Sequence, residues 1–286
     1  MTVPERPRLS RRIESRAEIP RARRIVVKVG SSSISGANAG QIGPLVDALS
    51  TAHARGSDVV LVSSGAIATG IPYLRLDSRP TDLATQQAAA AVGQNVLIYR
   101  YQDSLDRYSI VAGQVLLTAG DLENPVHRSN AQRAMERLMG LRILPIVNEN
   151  DTVATHEIRF GDNDRLASLV AQLVHADLLL LLSDVDALYT RPPGRAGAKP
   201  IHHVAFGADL AEVEFGDIGV AGVGTGGAGT KVTAANLAAA SGTPVLLAAT
   251  TDVAAALSGA DIGTWFDAAP PRHWPAGDHA VRYGDA

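Results

Sequence analysis

The sequence predicts an α/β fold in which a mostly parallel sheet is covered by helices on both faces. Apolar stretches of strand length alternate along the chain with longer stretches of helical pattern, and this alternation is typical of sheets built from β–α–β units. The strand-like stretches are apolar throughout rather than at every second residue, which indicates burial on both sides. A chain of 286 residues can bury a core of this size.

Six stretches have the length and the β-branched or leucine-rich content of strands. In chain order they are residues 25–29, 58–62, 110–117, 142–147, 178–182 and 244–248. The predicted helices are residues 41–55, 82–107, 126–139, 164–175, 230–240 and 253–257. Each of the first five helices lies next to at least one strand along the chain, so the predicted connections are those of a parallel sheet.

Both ends of the chain differ in composition from the region between them. The first 24 residues contain eight arginines, three glutamates and three prolines. This mixture predicts a basic, flexible tail over residues 1–23 rather than a nucleic-acid arm. Residues 269–286 are polar and weakly patterned, so they are predicted to form a second tail. One domain is therefore expected over residues 24–268.

Composition excludes several classes of function. The net charge of −3 gives no global reason to expect nucleic-acid binding. The chain contains no cysteine, which excludes disulfides, thiol catalysis and cysteine-based zinc sites. No apolar run reaches the ~18 residues of a membrane span, and the N-terminus lacks the apolar core of a signal peptide. The expected location is the cytoplasm.

Polar clusters follow four of the predicted strands. They are residues 30–33, 63–66, 148–151 and 183–186, and the first two are rich in serine and glycine while the last two are rich in carboxylates. Carboxyl ends of parallel strands lie at one edge of a sheet, and ligands bind at that edge in open α/β sheets. We therefore expect a ligand site built from these four clusters.

Lysine is rare in this chain. Only Lys28, Lys199 and Lys231 occur, among 26 lysines and arginines in total. Lys28 precedes Gly30 and three serines, and Lys231 ends a run of glycine, threonine and alanine that begins at Gly224. A compact ammonium beside exposed backbone N–H groups suits a phosphate. Lys199 belongs to a loop rich in arginine, proline and glycine, and no role is assigned to it.

The glycine-rich loop permits two other interpretations. Its spacing Gly222-x-Gly224-x-x-Gly227 matches a dinucleotide fingerprint, but no strand precedes it directly and no acidic residue lies about 20 positions on. It also nearly matches a P-loop, with the lysine one place late. A cradle for phosphate at the start of a helix is the favoured interpretation, and a loop that only caps this helix is the alternative.

The densest polar segment covers residues 148–164. One interpretation is a metal cage, for which the candidate ligands are Asp151, His156, Glu157, Asp162 and Asp164, but their spacing matches no known calcium or zinc motif. The other is a pocket for an ammonium group, with amides that orient a carboxylate. A residue of the run 162–164 could also cap the helix that follows. No activated nucleophile or general base is evident, which suits phosphoryl transfer to a carboxylate because that acceptor is already ionised, with a pKa of about 4.3.

Six motifs resemble the amino acid kinase family and, within it, the glutamate 5-kinases. They are Val-Lys-Val-Gly-Ser-Ser at 27–32, Val-Ser-Ser-Gly-Ala-Ile-Ala-Thr-Gly at 62–70, Gln-Val-Leu-Leu-Thr at 114–118, Val-Asn-Glu-Asn-Asp-Thr-Val-Ala at 147–154, Phe-Gly-Asp-Asn-Asp at 160–164 and Gly-Thr-Gly-Gly at 224–227. The resemblance extends over residues 24–266. It implies a three-layer αβα sandwich around a mostly parallel sheet of about eight strands.

The resemblance also implies a reaction and its residues. The reaction is ATP-dependent phosphorylation of the side-chain carboxylate of L-glutamate with Mg²⁺, the first step of proline synthesis. The implied catalytic residues are Lys28, Lys231 and Asp162, with Asp162 holding the lysines in place. The implied glutamate-binding residues are Ser64, Gly65, Asp151 and Asn163. The implied ATP-binding residues are Lys28, Ser183, Asp184, Thr225, Gly226, Gly227, Ala228, Gly229, Thr230 and Lys231.

Further family traits are feedback inhibition by proline, a homo-oligomer and a glutamate-5-semialdehyde dehydrogenase partner that consumes the acyl phosphate. The chain departs from the family by ending too early for the C-terminal PUA domain of many members, by Ala187 in place of a glycine, and by Ala228-Gly229 in the glycine loop. Two alternatives stay open: a kinase of the same fold for a related carboxylate, and a non-catalytic sensor of a nucleotide or an amino acid.

Overall fold

A computed structural model describes residues 12–76, 80–153, 163–215 and 227–270. The strands in this part of the chain are β1 Arg24–Val29, β2 Asp58–Val62, β3 Ala112–Leu117, β4 Leu144–Glu149, β5 Leu178–Ser183, β6 Leu188–Tyr189, β7 Pro200–Ile201, β8 His203–Val204, β9 Val245–Ala249 and β10 Thr264–Phe266. The α-helices are α1 Ile42–Ala54, α2 Ala66–Gly70, α3 Leu83–Asp106, α4 Ala119–Glu123, α5 Pro125–Gly140, α6 Asn163–Leu173, α7 Ala228–Ala240 and α8 Val253–Leu257. In these same ranges no helix is both long enough and apolar enough to cross a membrane.

Eight of the described strands form one sheet in the order β3-β4-β2-β1-β5-β9-β10-β8. Every neighbouring pair is parallel except β9 and β10, which are antiparallel. Strands β6 and β7 form a separate two-stranded sheet. The prediction of a mostly parallel sheet of about eight strands is therefore confirmed. The central position of β1, between β2 and β5, places Lys28 in the middle of the sheet.

Two hydrophobic cores lie on opposite faces of this sheet. Along β1, Ile25 and Val27 belong to the core shared with α1, α3 and α8, and Val26 belongs to the core shared with α5, α6 and α7. Because successive side chains of a strand point to opposite faces, this division shows helices on both sides of the sheet. The layers are those of an αβα sandwich, and the continuous apolar content of β1 is explained by burial on both faces.

Side-chain caps begin helices α3 and α5, and both helices start within one residue of the predicted position. Asp82 accepts a hydrogen bond from the backbone N–H of Thr85 at 2.9 Å and so begins α3. Asn124 accepts from two backbone N–H groups of the first turn of α5. Such caps satisfy N–H groups that have no partner inside the helix. They fix the starting residues of helices whose apolar faces then pack on the sheet.

The N-terminal prediction is wrong for residues 12–23. The side chains of Ile13 and Ile19 are buried in the same core as α1 and α8. The Arg16 guanidinium donates to the carbonyl oxygens of Ile262 at 2.8 Å and Gly263 at 3.0 Å. Arginine-rich composition suggested a solvated tail, but a planar guanidinium can also bind several carbonyl groups at once. A flexible tail stays a prediction for residues 1–11, which lie outside the described residues.

Helices α2 and α3 approach each other at two glycines, and this contact positions the chain after β2. A Cβ atom on Gly93 would lie 1.8 Å from the carbonyl oxygen of Ala66, and one on Gly70 would lie 1.9 Å from that of Ala89. Only glycine allows backbones so close. One helical turn beyond Leu97, the buried hydroxyl of Tyr101 bonds the Ser63 hydroxyl at 2.9 Å. Helix α3 therefore holds the residues that follow β2 in a fixed place.

Candidate active site

The predicted site lies at the carboxyl edge of the central strands. Lys28 is the next-to-last residue of β1, and Ser64 and Gly65 are the second and third residues after β2. Asn163 and Asp164 are the first two residues of α6, and Lys231 lies in the first turn of α7. Residues far apart in sequence therefore meet where two helices begin above the middle of the sheet.

One carboxylate joins the two lysines. Asp164 Oδ1 lies 2.7 Å from Lys28 Nζ, and Asp164 Oδ2 lies 3.3 Å from Lys231 Nζ. All three side chains are buried, with exposed fractions of 5% for Lys28, 8% for Lys231 and 2% for Asp164. We call these three residues the lysine–aspartate cluster. Its geometry places two ammonium groups on the two oxygens of one carboxylate, which holds them close together at the edge of the sheet.

Charge dominates the protonation of Asp164. Burial alone raises the pKa of this carboxyl group, but the attraction of Lys28 and Lys231, together with their hydrogen bonds, outweighs burial and lowers the pKa to about 2. An opposite charge within a few ångströms favours the ionised form in this way. Asp164 is therefore ionised throughout the neutral range and stabilises the charged forms of both lysines.

The start of α7 adds a hydroxyl to the cluster. Thr230 Oγ1 lies 3.1 Å from Asp164 Oδ2 and 2.9 Å from the carbonyl oxygen of Gly227. Gly227 is the N-cap residue of α7, so Ala228 and Gly229 carry first-turn N–H groups that are not used inside the helix. Such N–H groups bind anions readily. This end of the predicted ATP site is consistent with a phosphate cradle, whereas Thr225 and Gly226 lie outside the described residues.

A second polar group adjoins the cluster through Asn163. Asn163 Nδ2 donates to Ser64 Oγ at 3.0 Å and to Asn148 Oδ1 at 3.2 Å. Asn148 Nδ2 in turn donates to Gln94 Oε1 at 2.6 Å. All four side chains are buried. We call Gln94, Asn148, Asn163 and Ser64 the buried amide chain; it links β4, α6 and helix α3 behind the residues that follow β2.

Gly65 has a backbone conformation that favours glycine. Its φ is 90° and its ψ is 13°, in the left-handed region, and it caps the N-terminus of α2. A Cβ atom at this position would lie 3.3 Å from the Cβ of Ser31. The described neighbour that Gly65 approaches is therefore the serine-rich loop after β1, and this contact brings the loops after β1 and β2 together.

Asp151 lies in a cavity of about 280 Å³ beside the buried amide chain. The cavity is lined by residues of α3, β3 and the end of β4, among them Gln94, Gln114 and Glu149. Burial, and secondarily the charge of Glu149, raises the pKa of Asp151 to about 7. A carboxylate that is costly to ionise alone gains from an ammonium partner. The cavity therefore suits a small cationic group at Asp151.

Ser183 and Asp184 lie at the end of β5, which is a neighbour of β1 in the sheet. The Ser183 hydroxyl donates to Asp184 Oδ1 at 3.1 Å, and Asp184 is exposed. Within the described residues no group of three or more His, Cys, Asp or Glu side chains could hold a metal ion. The metal-cage interpretation loses Asp164, whose two oxygens contact lysines, while His156, Glu157 and Asp162 lie outside the described residues.

The structure brings together several of the predicted site residues and gives specific contacts to Asp164, Asn148 and Gln94. Lys28, Lys231, Ser64 and Asn163 lie close together, and among the described residues the carboxylate that contacts both lysines is that of Asp164, whereas the resemblance implied Asp162. Asp162 lies outside them, so its role stays a prediction. Gln94 was not predicted, and Asn148 was predicted only as a member of the polar cluster 148–151. A buried amide inside an otherwise apolar stretch, as at Asn148 after Pro-Ile-Val, is the sequence feature that could have indicated one of them.

Comparison with known proteins gives concordant matches. Residues 23–249 match the amino acid kinase family. A glutamate 5-kinase from Clavibacter sepedonicus is 77% identical over 252 residues, which covers 88% of this chain and 97% of that protein. A glutamate 5-kinase from Streptomyces coelicolor is 54% identical over 258 residues, which covers 89% of this chain and 69% of that protein.

A solved structure shares the fold at low sequence identity. A carbamate kinase from Giardia lamblia bound to AMP-PNP superposes with a TM-score of 0.63 at 16% identity, covering 87% of this chain and 100% of that one. At this identity the likeness concerns the fold alone. It agrees with the strand order and the helix layers described above.

Proposed function

Because the chain belongs to the amino acid kinase family, we propose that it transfers the γ-phosphoryl group of ATP to the side-chain carboxylate of L-glutamate, which yields γ-glutamyl phosphate. The observation that carries the proposal is a pair of contacts made by two successive residues at the start of α6. Asn163 donates a hydrogen bond to Ser64, and the next residue, Asp164, forms ion pairs with both lysines. A carboxylate acceptor bound near Ser64 and a phosphoryl group bound near the lysines would therefore lie next to each other at the first turn of α6.

The lysine–aspartate cluster supplies the charge that the reaction needs. Phosphoryl transfer is catalysed mainly by positioning and by neutralising charge on the transferring group. Two ammonium groups held by one carboxylate can face that group without moving during the reaction. Because Asp164 binds each lysine through a separate oxygen, it fixes their spacing as well as their charge.

The acceptor pocket has groups for both ends of the amino acid. We assign the α-ammonium of glutamate to Asp151 in its cavity, and the α-carboxylate to the Ser64 hydroxyl at the end of the buried amide chain. The side-chain carboxylate would then extend toward the lysine–aspartate cluster. It carries no proton at neutral pH, so no general base is required. The ammonium pocket disfavours an N-acylated acceptor, which would leave Asp151 without a partner.

ATP would bind between the end of β5 and the start of α7. The free N–H groups near Ala228 and Gly229 and the ammonium of Lys231 suit its phosphates. Mg²⁺ is commonly bound by substrate phosphates with one or two carboxylates rather than by an all-protein cage. The exposed carboxylate of Asp184 fits such an ion carried by ATP, and the ion would supply further positive charge to the phosphates.

The chemistry of the product indicates which reaction must follow this one. An acyl phosphate is labile, and we propose that it is consumed by a glutamate-5-semialdehyde dehydrogenase in proline synthesis in the cytoplasm. Inhibition by proline and assembly into a homo-oligomer belong to the same proposal, and both rest on the family resemblance stated above.

Hydroxylamine trapping tests the proposal directly. Purified protein with ATP, Mg²⁺ and L-glutamate should produce γ-glutamyl hydroxamate, because hydroxylamine captures the acyl phosphate. The acceptor panel should include aspartate, N-acetylglutamate and carbamate, which separate a glutamate kinase from a kinase of the same fold with another substrate. Absence of glutamate-dependent hydroxamate, or a better rate with another acceptor, would overturn the assignment.

The third lysine offers a matched control. Lys199 is exposed in a loop, whereas Lys28 is buried in the lysine–aspartate cluster. Lys28→Met should abolish hydroxamate formation, and Lys199→Met should leave the rate unchanged. Equal effects of the two substitutions would mean that the buried cluster has no special role in the reaction.

A further inference from the structure

The polarity of the buried amide chain is fixed at Asn148. The backbone N–H of Glu149 donates to Asn148 Oδ1 at 2.9 Å, and of the two terminal atoms of an asparagine amide only the oxygen can accept a hydrogen bond. The amide nitrogen of Asn148 must therefore point the other way, toward Gln94 Oε1. The atom of Asn163 that faces Asn148 Oδ1 must then be its nitrogen, Nδ2.

This polarity reaches the Ser64 hydroxyl. Asn163 Nδ2 uses its two hydrogens on Asn148 and Ser64, so Ser64 Oγ is an acceptor in this contact. A hydroxyl has one hydrogen to donate, and within the described part of the protein no hydrogen bond of Ser64 Oγ uses that hydrogen. The Ser64 hydroxyl is therefore oriented to donate its hydrogen to an anion. At the other end of the buried amide chain, Gln94 supplies the last acceptor.

We propose that Gln94 is a positioning residue that orients the Ser64 hydroxyl toward the α-carboxylate of the amino-acid substrate. The inference rests on the proposed function, since it names how the acceptor pocket of that function is held. Gln94 acts through Asn148 and Asn163, and its own contact in the chain is the 2.6 Å hydrogen bond from Asn148. Its place on α3 is rigid because the adjacent Gly93 packs against Ala66 without room for a side chain.

Loss of the Gln94 acceptor would disturb the whole chain. Asn148 is only 1% exposed, so its amide nitrogen would be buried without an acceptor, which is unfavourable. If the Asn148 amide turned its nitrogen toward Asn163, the Asn163 amide would have to turn over and present its oxygen to Asn148 and Ser64. Ser64 would then donate its hydrogen to that oxygen and lose its donor for the substrate.

Gln94→Met tests the proposal because methionine fills a similar volume without an acceptor. We expect KM for glutamate to rise about tenfold, the effect of losing one hydrogen bond to a charged group, with a smaller change in kcat and an unchanged KM for ATP. Gln94→Asn provides a second variant if Gln94→Met does not fold. Its shorter side chain cannot reach Asn148 and should also raise KM for glutamate.

Gln102→Met is the matched structural control. Gln102 lies on the same helix, where its side chain accepts from the backbone N–H of Ala112 at 2.8 Å. Both methionine variants should lower the unfolding midpoint, but only Gln94→Met should change KM for glutamate. If the two variants change KM equally, Gln94 has only a structural role and the proposal is wrong.

A double-mutant cycle with Ser64→Ala shows whether Gln94 acts through Ser64. When the hydroxyl is already absent, Gln94→Met should raise KM for glutamate by less than twofold, because coupled residues are not additive. A full second tenfold increase in KM would overturn the proposed route through Ser64.

Wild-type activity separates the two proposals. An inactive wild-type protein refutes the glutamate kinase assignment. An active wild-type protein together with an unaltered KM for glutamate in Gln94→Met refutes only the role of Gln94.

Discussion

Asp164→Asn should weaken both the fold and the reaction, because Asp164 is the shared counter-charge of two buried lysines. The variant keeps the size of the side chain and removes its charge. It leaves Lys28 and Lys231 buried without this carboxylate, and breaking a buried pair by removal of one partner typically costs about 3–5 kcal/mol. We expect the free energy of unfolding at pH 7 to fall by about this amount, and kcat to fall by about 100-fold or more because the lysines lose their fixed spacing.

The depressed pKa of Asp164 gives a second, order-of-magnitude figure for the contribution of its charge. The folded-state pKa of about 2 lies below the ordinary value of 3.8, and each pKa unit corresponds to about 1.4 kcal/mol. Ionised Asp164 therefore contributes about 2–3 kcal/mol to the free energy of unfolding. A depressed pKa contributes fully above the unfolded-state value and is lost as the pH falls through the folded-state value. At pH 3 about half of this contribution should be left.

Urea unfolding of the wild-type protein and of Asp164→Asn at pH 7 and pH 3 checks both statements. The difference between their free energies of unfolding should narrow by about 1 kcal/mol at pH 3. Asp103→Asn is the control, since Asp103 is exposed on α3 and its substitution should change little. A difference that is small at pH 7, or that does not narrow at pH 3, would refute the view that this carboxylate holds the lysines.

Three further predictions concern neighbouring residues. Lys231→Met should lower kcat at least 100-fold with little change in KM for glutamate; steady-state rates check this, and an unchanged kcat contradicts it. Burial and Glu149 raise the pKa of Asp151 to about 7, so kcat/KM for glutamate should fall below pH 7 as the carboxylate is protonated, and Asp151→Asn should remove this dependence. Gly65→Ala should cost about 1–3 kcal/mol of stability in urea, because its φ is 90°; Gly43→Ala, which meets open space, should cost none.

Elements buried on both faces were predictable from the sequence. The runs that form β1, β2 and β5 consist mainly of consecutive apolar residues, with polar residues at or near their ends, so their length and neighbours indicate parallel strands without alternation. The order of the strands was not predictable, because it depends on which helix crosses which face. The short strands β6, β7 and β8 have two residues each and too few side chains for any periodicity.

The N-terminal segment shows a different limit. Residues 12–23 have the composition of a solvated tail, yet Ile13 and Ile19 fill a core beside α8. The stabilising contacts are hydrogen bonds from Arg12 and Arg16 to carbonyl groups more than 240 residues away. Local composition carries no information about such partners, because the acceptors are backbone atoms that every residue has.

The two site lysines were identifiable from the sequence because lysine is rare in this arginine-rich chain. The aspartate that contacts both of them was not identifiable in this way. The run Asp162-Asn163-Asp164 offers three polar side chains at the start of a helix, and sequence alone cannot tell which of them points where. In the structure, Asn163 and Asp164 are successive residues of the first turn, and successive side chains of a helix point about 100° apart. Asn163 therefore contacts Ser64, and Asp164 contacts both lysines.

This shared turn has a mechanistic consequence. Reactive groups must be held about 3 Å apart and aligned, and a misplacement of 1 Å can cost about 100-fold in rate. If the acceptor pocket and the lysines were held by separate loops, each loop could move independently. Here Asn163 and Asp164 belong to one helix whose next turns are buried at Ala167 and Val170. A displacement of α6 would move Asn163 and Asp164 together, whereas Ser64 follows β2 and the two lysines lie on β1 and α7. The burial of α6 against these elements is therefore what would keep the acceptor and the phosphoryl group at a constant distance.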